Sequence, residues 1–397
     1  MLTATTVVAI PVMAMPVLFK EISTELGMDL VQVGLIGTMS ALTGLAVGLF
    51  GGALGDRFGT RRTLITACLL TGVTGALRGL APSFLWLMAA TFLFGLVQPI
   101  INVNLSKTCA LWFSARERGT ANGGISMGMA LGFLLGSLLS ATILSPLLGG
   151  WRNVLFFFGV VACLVSALWF ATKDSPQHTA SAGTRPVSLR AGLAYVMRLR
   201  SLWIVGFAAL GFGGCVTAML AYLPLYLRNI GWSGANADTT VATFHAVSLV
   251  GAIPIAMLSD RLQQRRALLL LGALCLAAGT GALAVASGAL IVVVVIIAGF
   301  MRDGFMAVFM TNVMETPELG MAYTGSALGF TSIFFQMGGV FAPPLGNSLA
   351  AINPSAPFVF WAALALFGFA SFTFLKRKPE AHHSLATTQL PTTTIAD

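Results

Sequence analysis

The sequence predicts an all-α membrane protein of twelve transmembrane helices arranged in two six-helix bundles. Three observations predict this fold: an apolar composition, apolar stretches of membrane-spanning length, and a motif repeated between the two halves of the chain. Of the 397 residues, 57% are hydrophobic and 9% are charged, and the mean hydropathy is +0.89. So few polar groups cannot cover a surface that faces water, whereas a lipid-facing surface does not need them.

The apolar stretches are about 18 to 25 residues long, which suits a helix crossing a ~30 Å hydrocarbon core. Backbone amides in lipid must be satisfied within the segment, so each stretch is predicted to be a helix. The first has no charged leading region and no small-residue cleavage site, so we interpret it as a membrane helix and not as a secretory signal. The predicted segments are 2–19, 31–52, 63–80, 84–108, 119–143, 153–171, 201–226, 239–259, 267–286, 289–312, 321–345 and 354–375.

The basic residues predict the orientation. With the loop at 52–62 placed in the cytoplasm, the cytoplasmic segments hold 17 of the 22 Lys and Arg residues. The outer segments hold four: Lys20, Arg78, Arg152 and Arg228. The positive-inside rule therefore predicts both termini in the cytoplasm, in a bacterial inner membrane. The net charge of +9 is then a consequence of topology, and it gives no reason to expect nucleic-acid binding.

The Trp and Cys residues fit the same picture. Six of the seven Trp fall near segment ends, as an interfacial belt would place them: Trp86, Trp112, Trp151, Trp169, Trp203 and Trp232. The five Cys are isolated and lie in or beside apolar segments: Cys68, Cys109, Cys163, Cys215 and Cys275. We interpret them as small packing residues and expect neither a disulfide framework nor a metal site.

A duplication divides the chain into two halves. Gly-Asp-Arg-Phe-Gly-Thr-Arg-Arg at 55–62 returns 204 positions later as Ser-Asp-Arg-Leu-Gln-Gln-Arg-Arg at 259–266. Two further pairs match at offsets of 201 and 208: Glu117–Gly128 with Glu318–Gly329, and Pro16-x-x-x-Lys20 with Pro224-x-x-x-Arg228. Six segments repeated as six predict the parallel repeat of a transporter. The predicted domains are a bundle at 1–171, a cytoplasmic linker at 172–200, a bundle at 201–376 and a disordered tail at 377–397.

The end of the linker, Ser188 to Arg200, allows two interpretations. It is either a short helix lying on the inner membrane surface, with Arg190 and Arg198 toward the headgroups, or a disordered basic linker.

The repeated loop resembles the cytoplasmic loop motif of the major facilitator superfamily. The resemblance extends over the whole chain. Within the superfamily, the chain faintly resembles the cyanate/nitrate and organic-anion uptake branches. The resemblance implies that superfamily's fold and secondary transport by alternating access. In the superfamily the loop Asp helps to lock the two bundles in one state. The resemblance therefore implies a gating loop of Asp56, Arg57, Arg61 and Arg62, with Asp260 and Arg261 in the degenerate second copy. Alternatively, the arginines only anchor the loops at the cytoplasmic surface.

One pair of charged residues lies deep in a predicted segment. Arg302 is some ten residues from either end of segment ten, which is on the order of 15 Å along a helix axis. An ionisable side chain there costs several kcal/mol unless it faces a partner or water, so Arg302 and Asp303 are either functional or a packing ion pair. The repeat maps Arg302 onto Gln98. The resemblance implies that segments one, four, seven and ten line a central cavity, which makes Gln98 and Arg302 opposed candidates for substrate contact.

Other polar residues inside apolar segments are weaker candidates. Asn102 shares a helix face with Gln98. Gln336 and Tyr222 are candidates for substrate contact, with hydrogen bonding between helices as the alternative. Asp303 and His245 are candidates for proton coupling, although a lone intramembrane His can also serve only as an interhelical hydrogen-bond partner.

Segment five carries a glycine at every fourth position, which predicts close helix packing: Gly124, Gly128, Gly132 and Gly136. In drug–proton antiporters of the superfamily, a Pro follows the second Gly of such a stripe. Met129 stands there in this chain, or Phe133 if the frame starts one turn later, and this departure argues against multidrug efflux.

The predicted function is transport, not catalysis. The sequence has no phosphate-binding loop, no nucleophile–base set and no metal-ligand spacing, so we expect no enzyme activity and no cofactor, with a proton gradient as the energy source. A desolvated guanidinium such as that of Arg302 suits a carboxylate or another small planar anion. We predict a monomeric transporter whose partners are the lipid bilayer and a small, anionic solute. It would carry out proton-coupled uptake of an organic or inorganic anion; the alternative is proton-driven efflux of a drug or metabolite.

Overall fold

The computed structural model of the chain describes residues 2–47, 54, 57–113, 118–170, 189–262, 264–316, 319 and 323–375. In these ranges every predicted segment corresponds to a helix, and no β-strand is present. The helices are α1 (Leu2–Leu26), α2 (Leu30–Val47), α3 (Thr60–Gly79), α4 (Phe84–Trp112), α5 (Arg118–Leu139, the π-helical turn Ser140–Leu144 and Ser145–Leu148), α6 (Trp151–Phe170), α7 (Arg200–Asn229), α8 (Gly234–Leu262), α9 (Arg265–Ala282), α10 (Leu290–Phe300 and Arg302–Met314), α11 (Thr324–Leu349) and α12 (Ala356–Thr373).

The lengths and compositions of these helices confirm the predicted fold class. Among the described residues, ten helices are long and apolar enough to cross a membrane. The other two are α3, which carries Arg61, Arg62 and Arg78, and α6, whose apolar stretch Trp151–Ala167 is shorter. The predicted number of twelve membrane-spanning helices is consistent with these ten helices together with α3 and α6. We call inner the side of the predicted cytoplasmic loops and outer the opposite side.

The repeat seen in the sequence is also present in the backbone. Helices α1 and α7 both end in a left-handed glycine, Gly27 with φ of 61° and Gly231 with φ of 93°, a conformation that side chains with a Cβ disfavour. The helices that follow begin on equivalent caps, Asp29 and Ser233, whose side-chain oxygens accept the backbone N–H three residues further on. The same start and stop signals, 204 positions apart, give the two halves the same geometry at this turn.

Each half is a bundle with its own contacts, and the halves meet along two interfaces. In the first half α1 packs on α5, and α3 packs on both α4 and α6. In the second half α7 packs on α11 and α12, α9 on α12, and α8 on α10. Between the halves, α2 packs on α11 and α5 packs on α8. The predicted boundaries of the domains stay a prediction, since residues 171–188 and 376–397 lie outside the described ranges.

The glycine stripe of α5 is a packing surface for α1. A Cβ at Gly128, Gly132 or Gly136 would overlap backbone oxygens of α1, whereas a Cβ at Gly124 would meet no atom within 4 Å. The predicted close approach is therefore confirmed for three of the four glycines.

The end of the linker is helical at Leu189–Val196, as the first of its two interpretations expects, and its place on the inner membrane surface stays a prediction. Tyr195 stacks on Tyr323 before α11 with ring centroids 4.2 Å apart, and Val196 is fully buried. These contacts attach the linker helix to the second half.

The predicted aromatic belt is correct for some Trp residues and wrong for others. Trp86 and Trp112 are each 48% exposed, as interfacial residues should be. Trp151 and Trp169 are buried at 2% and 7%, and the Trp151 indole N–H donates to Glu25 at 2.6 Å. Trp151 therefore packs inside the protein with a polar partner, and Trp169 packs in the apolar core of the first half. Cys68, Cys109 and Cys215 are buried, as expected of packing residues.

Arg78 differs most from its predicted surroundings. It was counted as an outer cation, but it is only 1% exposed, within the first half. Its guanidinium carbon lies 3.9 Å from the centroid of the Phe94 ring, and its Nη1 donates to the Pro11 carbonyl of α1 at 3.4 Å. The charge is thus held by a π face and a backbone oxygen.

Candidate functional site

A cavity of about 370 Å³ lies between the two halves, with walls from α2, α4, α10 and α11. The lining residues lie toward the inner end of α2, α10 and α11 and near the middle of α4, so the cavity is displaced from the middle of the molecule toward the inner side. The described lining residues carry no charge. The polar ones are Ser40, Gln98, Asn102, Thr331, Ser332 and Gln336.

Three of the predicted substrate-contact residues line this cavity. Gln98 and Asn102 face it from α4, and Gln336 faces it from α11. The Gln98 amide also donates to the Val8 carbonyl of α1 at 3.3 Å, and the Gln336 amide donates to the Ala41 carbonyl of α2 at 3.4 Å. Both amides therefore combine an interhelical bond with exposure to the cavity, and binding by these residues stays a prediction.

Arg302 and Asp303 lie at an interruption of α10. A turn at Met301 separates the two helical pieces, and Arg302 opens the second piece. The Arg302 guanidinium bonds the Asp303 carboxylate, and these side chains are 20% and 24% exposed. Neither belongs to the cavity wall, but Met306, one turn further on, does. The charged pair therefore lies one turn from the cavity wall, since residues three and four apart share a helix face.

His245 lies near this pair, at the interface between α5 and α8. It is 2% exposed, its ring is 5.5 Å from that of Phe133 on α5, and its Nε2 atom has no hydrogen-bond partner among the described groups. The backbone N–H of Asp303 donates to the hydroxyl of Ser248 at 3.1 Å, and Ser248 lies three residues from His245 on α8. The two candidates for proton coupling are thus brought together, and their role stays a prediction.

Tyr222 is placed elsewhere. It is 1% exposed, its hydroxyl donates to the Pro354 carbonyl at 3.0 Å, and its ring packs on Phe358 and Trp361. Among the described residues, α1 and α7 contribute nothing to the cavity wall, which comes from α2 and α11 as well as α4 and α10. The expectation that segments one and seven line the cavity is wrong for this conformation, and the geometry of Tyr222 favours the alternative, a bond between helices.

The predicted gating residues that the structure describes lie at the inner ends of the helices. Asp56 and the side chain of Asp260 lie outside what the structure describes. Arg57, Arg62 and Arg261 are exposed, while the Arg61 Nε donates to the Trp169 carbonyl of α6 at 3.2 Å. These placements fit anchoring cations, and gating stays a prediction.

A polar cluster at the outer ends of the helices was not singled out from the sequence. Asp238 of α8 accepts a bond from Arg228 Nη2 of α7 at 2.6 Å and one from the Thr142 hydroxyl of α5 at 2.5 Å. Arg228 Nη1 donates to the Val17 carbonyl of α1. We call Asp238, Arg228, Thr142 and Val17 the outer cluster. The predicted segment eight started at 239, which assigned Asp238 to a loop, whereas α8 begins at Gly234 and places Asp238 within the helix.

Further bonds join the halves on the same side. Lys20 of α1 donates to the Asn229 amide oxygen at 2.6 Å, and the Asn347 amide of α11 donates to the Leu30 carbonyl of α2 at 2.8 Å. With these bonds at the outer ends and the cavity toward the inner side, the geometry is that of a transporter closed to the outside.

Comparison with known proteins decides the family. The chain matches the Major Facilitator Superfamily over residues 1–324 and again over residues 231–396. It belongs to the Major Facilitator Superfamily. As a member of the superfamily, the protein is a multi-pass membrane transporter of small solutes and not an enzyme.

Relatives within the superfamily have different substrates in their names. The chain is 25% identical over 385 residues to the probable sulfoacetate transporter SauU of Cupriavidus necator, covering 90% of this chain and 87% of SauU. It is 23% identical over 369 residues to the multidrug resistance protein MdtH of Aeromonas hydrophila, covering 91% and 89%.

Solved structures of the superfamily have the same fold. A bacterial homologue of the human lysosomal transporter Spinster, inward-facing and unoccupied, superposes with a TM-score of 0.74 at 17% identity, covering 94% of this chain and 93% of that one. A mutant of the nucleoside transporter NupG superposes with a TM-score of 0.80 at 10% identity, covering 95% and 99%.

Proposed function

We propose that this superfamily member takes up a small organic or inorganic anion together with protons, by alternating access across a bacterial inner membrane with both termini in the cytoplasm. The observation that carries the proposal is Arg302 at the interruption of α10, one helical turn from the wall of the cavity between the halves. Interrupted helices near the bilayer midplane mark substrate sites in other transporters.

The chemistry of the cavity supports an anion. Its described wall is neutral, with amide and hydroxyl groups from both halves, so Arg302, one helical turn away, is the group that can attract a negative charge. An anion that pairs with the guanidinium would compete with Asp303 for it. Anion binding would thus free the Asp303 carboxylate, the candidate for proton coupling, from its partner Arg302.

The full-length similarity to SauU gives independent support. Sulfoacetate carries a sulfonate and a carboxylate, both of which a guanidinium can bind with two parallel hydrogen bonds. Proton-driven efflux of a drug or metabolite remains the second candidate, and the full-length similarity to MdtH favours it. Met129, where the drug antiporters have a Pro, argues against it.

Uptake into proteoliposomes with an imposed pH gradient tests the proposal, with sulfoacetate as the first probe and simple mono- and dicarboxylates after it. We expect Arg302→Lys to reduce uptake strongly, because the lysine ammonium group cannot form the two parallel hydrogen bonds of a planar guanidinium. We expect Arg302→Gln, which removes the charge, to abolish uptake. Tyr222→Phe is the matched control, since it removes a buried hydroxyl away from the cavity and should leave uptake near the wild-type rate.

Uptake of any of these anions at the wild-type rate by folded Arg302→Gln would reject the anion site. Drug efflux that survives Arg302→Gln and is lost in Asp303→Asn would favour the second candidate instead, since a cationic drug needs the carboxylate and not the guanidinium.

A further inference from the structure

The outer cluster contains a carboxylate that is fully withdrawn from solvent. Asp238 is 0% exposed and Arg228 is 11% exposed. Each Asp238 oxygen has one partner: Oδ1 accepts from Arg228 of its own half, and Oδ2 accepts from Thr142 of the other half. Because the same carboxylate bonds residues of both halves, its charge state affects the contact between them.

Arg228 depends on this carboxylate. Besides Asp238 it bonds only the Val17 carbonyl among the contacts described for it, and that bond also crosses between the halves. If Asp238 became neutral, a nearly buried guanidinium would be left with a backbone oxygen and no counter-ion, which is a costly arrangement. Opening of the outer side, which admits water to Arg228, would relieve that cost.

The helix that carries Thr142 is distorted at this point. The π-helical turn of α5 spans Ser140–Leu144, so Thr142 is its central residue. A π-turn adds a residue to one turn and redirects the side chains on it, and such turns occur frequently at functional positions. Here it presents the Thr142 hydroxyl to Asp238 across the interface.

The other charged groups near Asp238 are few. Glu21 and Lys20 lie on α1 and Arg228 lies on α7, while α5 offers the neutral hydroxyls of Thr142 and Ser145. Glu21 accepts a bond from Ser145 at 2.6 Å, and Lys20 bonds Asn229, so both have partners of their own. Among the contacts described, Asp238 is therefore the carboxylate that bonds side chains of both halves.

We propose that Asp238 is a proton-operated latch of the outer side. As a carboxylate it holds α5, α7 and α8 together through Thr142 and Arg228. When a proton from the outer solution adds to an Asp238 oxygen, an O–H bond forms and the ion pair with Arg228 is lost. The outer ends of α1 and α5 then separate from those of α7 and α8. The inference rests on the proton coupling of the proposed function, but it does not depend on which solute is carried.

The distance between the outer ends of the two halves, measured without substrate, tests the latch. Labels attached to cysteines introduced at Thr24 of α1 and Asn236 of α8, both exposed, report this distance in liposomes by pulsed electron spin resonance. A membrane-impermeant label should spare the five native cysteines, which lie within membrane helices, and the protein without introduced cysteines checks this.

In the protein that carries only the two labelled cysteines, we expect the fraction of molecules open at the outer side to rise as the outer pH falls from about 8 to about 5. The ratio of open to closed molecules should change by at most about tenfold per pH unit, because one proton is taken up. Asp238→Asn, which imitates the protonated acid, should be open at every pH. Asp238→Glu should restore the dependence on pH. Asn347→Ala, which removes an uncharged contact on the same side, should favour opening equally at every pH.

A distance that does not change with pH in the unchanged protein would overturn the latch without the need for any Asp238 variant. So would an Asp238→Asn protein that stays closed, or one that still follows pH as the unchanged protein does. None of these results bears on Arg302 and anion uptake, so failure of the latch and failure of the anion proposal remain distinguishable.

Discussion

The two interfaces between the halves are related by the internal repeat, but they are built from different chemistry. Helices α5 and α8 meet at a buried carboxylate, with Thr142 and Asp238 in contact. Helices α2 and α11 meet through uncharged groups: the Asn347 amide bonds the Leu30 carbonyl, and the Gln336 amide bonds the Ala41 carbonyl. Duplication therefore conserved the packing of the helices and left the polar contacts free to diverge.

The uncharged interface depends on steric fit. A Cβ at Gly34 would lie 3.0 Å from the Asn347 amide nitrogen and from Pro344 Cα, and a Cβ at Gly44 would overlap the Gln336 amide. No ionisable side chain takes part in these described contacts. The α2–α11 interface should thus be insensitive to pH, whereas the α5–α8 interface should respond to protons.

The largest effect on the free energy of unfolding should come from removing Arg228, the cation of the outer cluster. Arg228→Met leaves Asp238, which is 0% exposed, without a counter-ion, and this should lower the free energy of unfolding by about 3–5 kcal/mol. The double variant Arg228→Met/Asp238→Leu removes both charges and should recover most of the loss. Thermal unfolding in detergent measures both, and a double variant no more stable than the single one would show that the pair does not act as a unit.

The next effect should come from steric overlap at the uncharged interface. Gly34→Ala places a methyl group 3.0 Å from Pro344 Cα and 3.1 Å from the Pro343 carbonyl carbon, backbone atoms that cannot rotate away as a side chain can, and should cost about 1–3 kcal/mol. Gly123→Ala is the matched control, because a Cβ there meets no atom within 4 Å, and it should be neutral or stabilising in a helix. Equal melting temperatures for the two variants would mean that α2 can move away from α11 at little cost.

A smaller effect is expected from a single neutral hydrogen bond. Asn347→Ala removes the amide that bonds the Leu30 carbonyl and should cost about 1 kcal/mol, with the same value at any pH. Ser348→Ala, whose hydroxyl bonds only the Leu345 carbonyl of its own helix, is the control. Unfolding curves recorded at two pH values would contradict the comparison if the Asn347→Ala difference changed between them.

The smallest effect on stability should come from an exposed hydrogen bond between the outer ends of the halves. Lys20 bonds Asn229 between the halves in an exposed position, so Lys20→Met should change stability by less than about 1 kcal/mol. Its dependence on salt should also be weak, because the partner is an amide and not a carboxylate. A loss as large as that of Arg228→Met would indicate that the outer cluster extends to Lys20.

The fold could be predicted from the sequence because the membrane leaves few alternatives. A stretch of apolar residues long enough to cross lipid must be helical, and the repeated motifs indicate two halves. The repeat identifies Gln98, which occupies the position of Arg302 in the other half, and the shared helix face identifies Asn102. Gln336 is identified as a polar residue inside an apolar segment, and all three line the cavity.

The outer cluster could not be found in this way. Asp238 stands in Ala-Asn-Ala-Asp-Thr-Thr, a stretch that resembles a loop because polar residues surround it, and its burial is provided by Thr142 and Arg228 from other helices. Arg152, which the sequence places in an outer segment, likewise has partners that the sequence does not show: its guanidinium bonds Glu25 and the carbonyls of Gly79 and Ala81. Local composition reports the surroundings along the chain, whereas these roles depend on neighbours far away in sequence.

The buried Arg78 has a consequence for how the protein enters the membrane during synthesis. Of the long helices described, α3 is the least apolar, and an arginine within a span opposes insertion by a few kcal/mol. The Pro11 carbonyl of α1 and the Phe94 ring of α4 compensate Arg78 in the folded protein. We therefore expect α3 to remain poorly inserted until α4 has emerged from the ribosome, so that α1, α3 and α4 partition into the bilayer as one unit.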